Sequence, residues 1–315
     1  MNAAGRRSGD LLEIALVNNM PDQALSATQA QFARIVRAGA GGREIRWRCY
    51  ALPGVARSDT ARRYLERSHE DIEALYRRGA DALIVTGCEP RAARLDEEPY
   101  WPEIKTLVEW ARVNTRSTIW SCLAAHAAVL SLSGIERRRQ PKKVSGVYAF
   151  ERTAAHWADQ TEGGRALVPH SRYNGLARED LEREGYKIAT RSEQVGVDVF
   201  WREEPSLFLF LQGHPEYDAD TLLKEYRRDV LRFLASERDD FPDMPEGVFG
   251  AHTRENLAAM QARILAGSEP DAKQALTTVL SQEVPVASWA QDTERLYRDW
   301  LSAVSERCEA WPKSA

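Results

Sequence analysis

Cysteine is scarce in this chain of 315 residues, which has four, at Cys49, Cys88, Cys122 and Cys308. No two have the short spacing of a metal-ligating pair, and a disulfide framework is not expected in a chain this long. No metal site is therefore expected, and the redox setting points to the cytoplasm. Nor does any apolar run approach the ~18 residues of a membrane span. Residues 1–10 are polar, lack the apolar core of a secretory signal, and are expected to be disordered. A formal net charge of −4 gives no global field that would favour nucleic acid or an anionic membrane. There is no internal repeat and no long low-complexity segment. What is left, 43% hydrophobic and 29% charged, is the composition of an ordinary globular protein with enough length for a substantial core.

Short apolar strands alternate with helical stripes. Leu12 to Val17, Ile45 to Tyr50, Ala82 to Thr86 and Thr118 to Ser121 read as strands. Helical periodicity covers about 26–38, 71–78, 101–113, 123–132 and 221–234, the last with Asp220 as its N-cap. Gly196 to Trp201 pairs with Leu207 to Leu211 as a hairpin. Strands of this kind predict an α/β fold, a mostly parallel sheet with helices on both faces. Beyond about Ser236 the chain turns acidic, carries Pro242 and Pro245, and then has helical stretches near 252–266 and 286–306. The expected organisation is a catalytic domain over 11–235 and a linker with a helical C-terminal appendage, 236–315, packed on it. The basic run Arg137-Arg138-Arg139 with Lys142-Lys143 reads either as a solvated loop or as an anion site.

Two strand ends carry the chemistry. The wholly apolar strand Leu207 to Leu211 closes in Gln212-Gly213-His214-Pro215-Glu216-Tyr217-Asp218, and strand 118–121 runs into Cys122. Loops at strand ends are where α/β proteins place reactive groups. A thiol, an imidazole and a carboxylate are the parts of a Cys-His-Glu nucleophilic site. A helix starting after Cys122 favours its thiolate and makes the backbone N–H of Leu123 an oxyanion donor. His214 can then move protons, with Glu216 orienting it. Each residue also has an ordinary reading: Cys122 as apolar filler, His214 as a turn residue, Glu216 as a surface carboxylate.

With these residues in this strand order, the chain resembles the class I glutamine-amidotransferase-like (flavodoxin-like) fold and, within it, the homoserine O-acyltransferases of methionine biosynthesis, which transfer succinyl or acetyl groups. The matching segments are Asn18-Asn19-Met20-Pro21, Thr28 with Gln31-Phe32, Thr86-Gly87, Tyr100-Trp101-Pro102 with Trp110, Lys143-Val144-Ser145-Gly146-Val147-Tyr148, Pro169-His170-Ser171-Arg172-Tyr173, and the 213–218 run with Thr221-Leu222 and Arg228-Asp229. They span roughly residues 11–235, and the spacings from Cys122 to Lys143 and from His214 to Arg228 fit without gaps. The resemblance implies that Cys122 carries the acyl group of an acyl-CoA, that His214 with Glu216 is the general base, and that Lys143, Ser171 and Arg228 bind substrate. Acyl-CoA is then a co-substrate, and no further cofactor is expected. Transfer through a thioester implies ping-pong kinetics. A homodimer is also implied.

The chain departs from the family pattern at Leu123 and His126, where Trp and Gln are usual, and at Cys88-Glu89-Pro90, where Ala-Pro follows Thr-Gly. The position that separates acetyl from succinyl donors, usually Glu or Gly, aligns with Arg91. An Arg there favours the distal carboxylate of succinyl-CoA over acetyl-CoA. The acceptor is homoserine or, one methylene shorter, serine. The expected activity is homoserine O-succinyltransferase. A glutamine amidohydrolase and a non-catalytic binding protein are the alternatives, and Leu123-Ala124 in place of glycines disfavours the first.

Overall fold

The computed structural model describes residues 11–153, 157 and 164–310; the expected disordered segment, residues 1–10, lies outside the described residues. The strands are β1 (Leu11–Val17), β2 (Glu44–Tyr50), β3 (Ala82–Val85), β4 (Ser117–Ser121), β5 (Arg138–Arg152), β6 (Arg165–Gly175), β7 (Lys187–Ile188), β8 (Thr190–Ser192), β9 (Gly196–Val197), β10 (Val199–Glu204) and β11 (Ser206–Leu211). The helices are α1 (Leu25–Gly39), α2 (Asp59–Ser68), α3 (Ile72–Arg78), α4 (Trp101–Asn114), α5 (Leu123–Ser133), α6 (Arg178–Arg183), α7 (Thr221–Leu234), α8 (Ala251–Leu265), α9 (Ala272–Leu280) and α10 (Ala290–Ala310).

Seven strands form the main sheet in the order β2-β1-β3-β4-β11-β10-β7. The pairings from β2 across to β11 are parallel, and β10 and β7 add an antiparallel edge. This is the mostly parallel α/β sheet expected. Every residue of β3, β4 and β11 is buried, as central strands covered on both faces must be. Alternation divides their side chains between two cores. Trp120, Phe208 and Phe210 face α4 and α5, while Ile119, Leu207, Leu209 and Leu211 face α1 and α10.

Helix α10, from the C-terminal segment, closes the second core. Tyr297, Trp300 and Leu301 lie against Phe32, Ile35 and Val36 of α1, and the Trp300 indole N–H donates to Ser117 Oγ at 2.9 Å. The two helices approach closely because Gly39 has no side chain: a Cβ there would stand 2.9 Å from the backbone of Tyr297 and Arg298. Helices α8 and α9 pack with α7 around Tyr226, Val230, Leu257, Met260 and Leu276. The acidic stretch before them docks on β5, where Val147 N donates to Glu246 O and Glu246 N to Ser145 O. Gly146, at φ +142°, makes room for that contact.

Four local expectations are corrected. The basic run belongs mainly to a strand, β5, of a second, four-stranded sheet (β6-β5-β8-β9), with the register shifting between Arg139 and Val144. The strand expected over 196–201 splits at Asp198: β9 joins the second sheet and β10 the first. Helices α2, α6 and α9 are additional; α2 buries only Ala61 and so carries almost no apolar stripe. Asp220 stands at the start of α7 without capping it; its carboxylate bonds Lys224 at 2.7 Å.

Candidate active site

Strands β4 and β11 run parallel with Ser121 opposite Leu211, so the residues that follow them emerge side by side. Cys122 N donates to Leu211 O at 2.7 Å. Cys122 has φ 51° and ψ −112°, a conformation that L-residues avoid, and α5 starts at the next residue. That is the geometry of a nucleophile elbow, which lifts a side chain above the sheet. The N–H groups of the first helical turn, Leu123's among them, have no partner within the helix. Gly87, after β3, presses on this turn: a Cβ on it would meet Leu123 Cβ at 2.7 Å and Leu123 N at 3.1 Å. Behind it, the Asn19 backbone N–H and side chain bond Thr86 at 2.8 and 3.3 Å, tying the loop after β1 to the loop after β3.

The loop after β11 brings the imidazole. His214 Nδ1 bonds Glu216 Oε1 at 2.8 Å, which leaves Nε2 as the ring atom for the thiol. The Cys122 side chain lies close enough to the His214 ring to be the strongest influence on it after burial. The His214 ring also stacks on Tyr217, with centroids 4.4 Å apart and planes 14° from parallel. His214 and Glu216 are 6% and 4% exposed, so their charges are held in a low dielectric. Burial alone would push the His214 pKa down. Cys122 and then Glu216 outweigh it and hold the imidazole well above its ordinary range, so the imidazolium form is favoured.

The loop is fixed from three sides. Gly213 lies so close to Val168, His170 and Asp198 that a Cβ would come within 2.9 Å of all three. Asp198 accepts the Gly213 N–H at 2.7 Å, and burial raises its carboxyl to a pKa of about 6. Arg172 donates to His170 Nδ1 at 3.2 Å and to the carbonyls of Asn174 and Val195 at 2.8 and 2.6 Å. From the far side, Thr293 Oγ1 donates to Pro215 O at 3.0 Å and Trp289 Nε1 to Tyr217 O at 3.3 Å. One turn beyond Thr293, Tyr297 is fully buried on the same face of α10 and feels the charge of Glu216.

The three residues expected to bind substrate lie around α7. Ser171 Oγ donates to Glu225 Oε2 at 2.5 Å, and Glu225 Oε1 accepts from Tyr217 at 2.8 Å, which links Ser171 to the ring stacked on His214. Lys143 Nζ bonds Asp229 Oδ2 at 2.9 Å, and Arg228 bonds Asp229 Oδ1 through Nε and Nη2 at 3.0 and 2.9 Å. The two cations are thus paired with one shared carboxylate. Arg91 is exposed and lines a different cavity, of about 670 Å³, which Cys88, Arg57, Glu98 and Tyr100 also line. The two departures beside Cys122 have structural work: Leu123 packs on the core, and His126, buried and neutral with its pKa pushed down to about 3, bonds Gln212 Oε1 at 3.0 Å.

Sequence reading missed Asp198, His170, Arg172, Tyr217, Glu225, Asp229 and the α10 contacts. Four of the six residues stood inside quoted motifs and only needed roles. Asp198 and Glu225 had no local signal, since their meaning depends on pairing across the fold. Among the described residues no group of His, Cys, Asp and Glu has the form of a metal site, and no helix is long and apolar enough to cross a membrane.

Fold and site together define an α/β protein with a Cys-His-Glu constellation at the ends of parallel strands. The family model for homoserine O-succinyltransferase matches residues 1–309, and the chain belongs to that family. It is 46% identical to the homoserine O-succinyltransferase of Rhodopseudomonas palustris, over 94% of this chain and 89% of that one. The Bradyrhizobium japonicum protein of the same name is 43% identical, over 96% and 93%. Among solved structures, a glutamine amidotransferase from Thermotoga maritima overlays with a TM-score of 0.46 at 12% identity, over 94% of this chain and 98% of that one. That overlay is too loose to add to the sheet order.

Proposed function

We propose that the protein is a homoserine O-succinyltransferase working through a Cys122 thioester, and so serves methionine biosynthesis. The observation that carries this is the closeness of Cys122, on its strained elbow, to a His214 that Glu216 holds by Nδ1. Family membership supplies the substrates, succinyl-CoA and homoserine.

The chemistry follows from the geometry. Cys122 attacks the thioester carbonyl as a thiolate, and the oxyanion forms opposite the free N–H groups at the start of α5. The C–S bond to CoA breaks, and His214 gives the departing thiolate its proton. His214 is then neutral and accepts the proton of the homoserine hydroxyl as that oxygen attacks the acyl-enzyme. The ester leaves, and Cys122 returns as thiolate opposite a protonated His214. Glu216 keeps the imidazole in one tautomer and stabilises its charged form. At the acceptor side, Arg228 and Lys143 receive the amino acid carboxylate, with Asp229 holding them in place. Ser171 and Glu225 stand between that cluster and the His214 ring, where Glu225 suits the acceptor's ammonium. The reaction needs no cofactor beyond the co-substrate.

Incubation with succinyl-CoA alone should add a succinyl group to the Cys122 peptide, read by mass spectrometry. Adding homoserine should discharge it with steady release of CoA, read by thiol titration. No CoA release with succinyl-CoA or acetyl-CoA and either homoserine or serine overturns the assignment.

A further inference from the structure

Strand β6 grips the loop that carries His214 at two successive residues. Its Pro169 carbonyl accepts the His214 N–H at 2.8 Å. The next residue, His170, is fully buried and lies against Gly213, where a Cβ would stand 2.8 Å from the His170 Nε2. Aromatic neighbours hold the His170 ring in its plane. It stacks on Phe150 with centroids 5.0 Å apart, and Tyr148 meets it at 6.1 Å in an edge contact. No step of the proposed reaction uses this second buried histidine.

Its bonding fixes its tautomer. Arg172 Nε donates to His170 Nδ1 at 3.2 Å, and a guanidinium only donates. Nδ1 is therefore the acceptor, and the hydrogen of the neutral ring sits on Nε2. Burial and the Arg172 charge both push the His170 pKa down, which keeps the ring neutral. The Nε2–H group makes no hydrogen bond among the described residues. It stands 3.5 Å from Asp198 Oδ1, the oxygen that accepts the Gly213 N–H at 2.7 Å. The Asp198 backbone carbonyl accepts the Gln212 N–H at 3.2 Å. The amides of Gln212, Gly213 and His214 are thus held in turn by Asp198 O, Asp198 Oδ1 and Pro169 O. A histidine proton stands beside the middle one of these three oxygens.

We propose that His170 is a positioning residue for His214: locked by Arg172 as the Nε2–H tautomer, it supports the Asp198 oxygen that holds Gly213, and so sets where the His214 ring stands beside Cys122. This rests on the acyltransferase reading, in which His214 moves the protons. An ionised Asp198 is the stronger acceptor and draws Nε2–H in. The charged and titratable groups facing the pair are Arg172 and Tyr148 beside His170, and His214 and Glu216 beyond Asp198. A loop held less firmly carries the imidazole away from the thiol, and a small misplacement of a proton carrier costs rate and not substrate affinity.

The test uses the full-length protein, with kcat and KM for both substrates and, by mass spectrometry of the Cys122 peptide, the pH profile of its alkylation by iodoacetamide. His170→Phe keeps a ring on Phe150 and removes both nitrogens. It should lower kcat by about 10-fold with both KM values unchanged. It should also move the midpoint of alkylation to higher pH, because an imidazolium set further off supports the thiolate less. His170→Gln, whose amide N–H reaches the place of Nε2–H, should recover most of both. The double variant His170→Phe with Asp198→Asn should lose no more than the larger single loss, as residues acting through one bond do. The proposal is overturned by a wild-type alkylation midpoint in His170→Phe, by additive losses in the double variant, or by a His170→Gln as impaired as His170→Phe. Nitrogen NMR of wild type with labelled histidine decides even where His170→Phe does not fold: Nε2 of His170 should carry the hydrogen, and a hydrogen on Nδ1 overturns the role. Wild type that releases no CoA from any pair of substrates sinks the acyltransferase reading instead. Alkylation and NMR need no substrate and still decide on His170.

Discussion

The two sides of the Cys122–His214 pair are built on opposite plans. On the proposed acceptor side, Lys143 and Arg228 are already paired through Asp229, and Ser171 through Glu225. On the other side, in the cavity that Cys88 and Arg91 line, the Tyr100 hydroxyl and Glu98 Oε2 stand with bonds unmade. A prepaired cluster costs little to keep folded, and an incoming carboxylate must share its cations with Asp229, so recognition there depends on placement. An unpaired cluster is held at a cost in stability that a bound hydrogen-bonding group relieves. The difference suits the proposed two-step reaction, in which two substrates meet one thiol from differently prepared sides.

The comparison requires that both sides work through one thiol. Cys122→Ala should therefore abolish acyl-enzyme formation and lower turnover by at least about 10³-fold. Residual transfer near the wild-type rate would mean direct attack of acceptor on donor, and the two-sided division would fall. The next largest effect lies beneath both sides, at Asp198. Its carboxyl is raised to a pKa of about 6 in the fold from an ordinary 3.8, first by burial. A carboxyl raised in this way contributes its full stability below about pH 4 and loses it as pH rises through 6, a change of about 3 kcal/mol. Asp198→Asn keeps an oxygen for the Gly213 N–H and should remove that slope from denaturant melts taken between pH 4 and 7. If the slope persists in the variant, the pH sensitivity belongs to one of the two sides and not to their common floor.

Arg228→Ala sharpens the division. It should raise KM for homoserine by about 30-fold, a loss of some 2 kcal/mol for a charge-assisted contact, with KM for succinyl-CoA nearly unmoved. A rise confined to the donor would show that the prepaired cluster serves CoA, and the two sides would have to exchange roles.

How much of this was legible differs between the sides for a physical reason. Apolar runs such as Leu207 to Leu211 announce central strands, and a thiol and an imidazole at the ends of two such strands announce a site. The main sheet and Cys122, His214 and Glu216 followed from that. The basic run over 137–143 read equally as a solvated loop or an anion site, because pattern cannot tell which of its five cations turn inward. The strand β5 that receives the run has little alternation, and its burial comes from β6 and from the tail segment at Glu246. Asp198 lay inside an apolar stretch that looked like one strand and is the joint between two sheets. Residues whose roles come from partners far along the chain leave no local periodicity.

Helix α10 carries the smallest expected effect and the least sequence signal, yet it touches the loop that both sides share. Thr293 Oγ1 bonds the Pro215 carbonyl, and that oxygen sits between His214 and Glu216. Thr293→Val keeps the shape and removes the donor. One buried carbonyl then loses its partner, worth about 1 kcal/mol. Because Pro215 fixes the backbone between the two side chains, the loss should loosen the His214–Glu216 bond without unfolding α10, whose hold is the packing of Trp300 and Leu301 on the sheet. The expected result is a several-fold lower kcat with both KM values unchanged and a melting temperature only slightly reduced. A change in one KM alone would place Thr293 on that substrate's side, and an unchanged kcat would leave α10 as packing only.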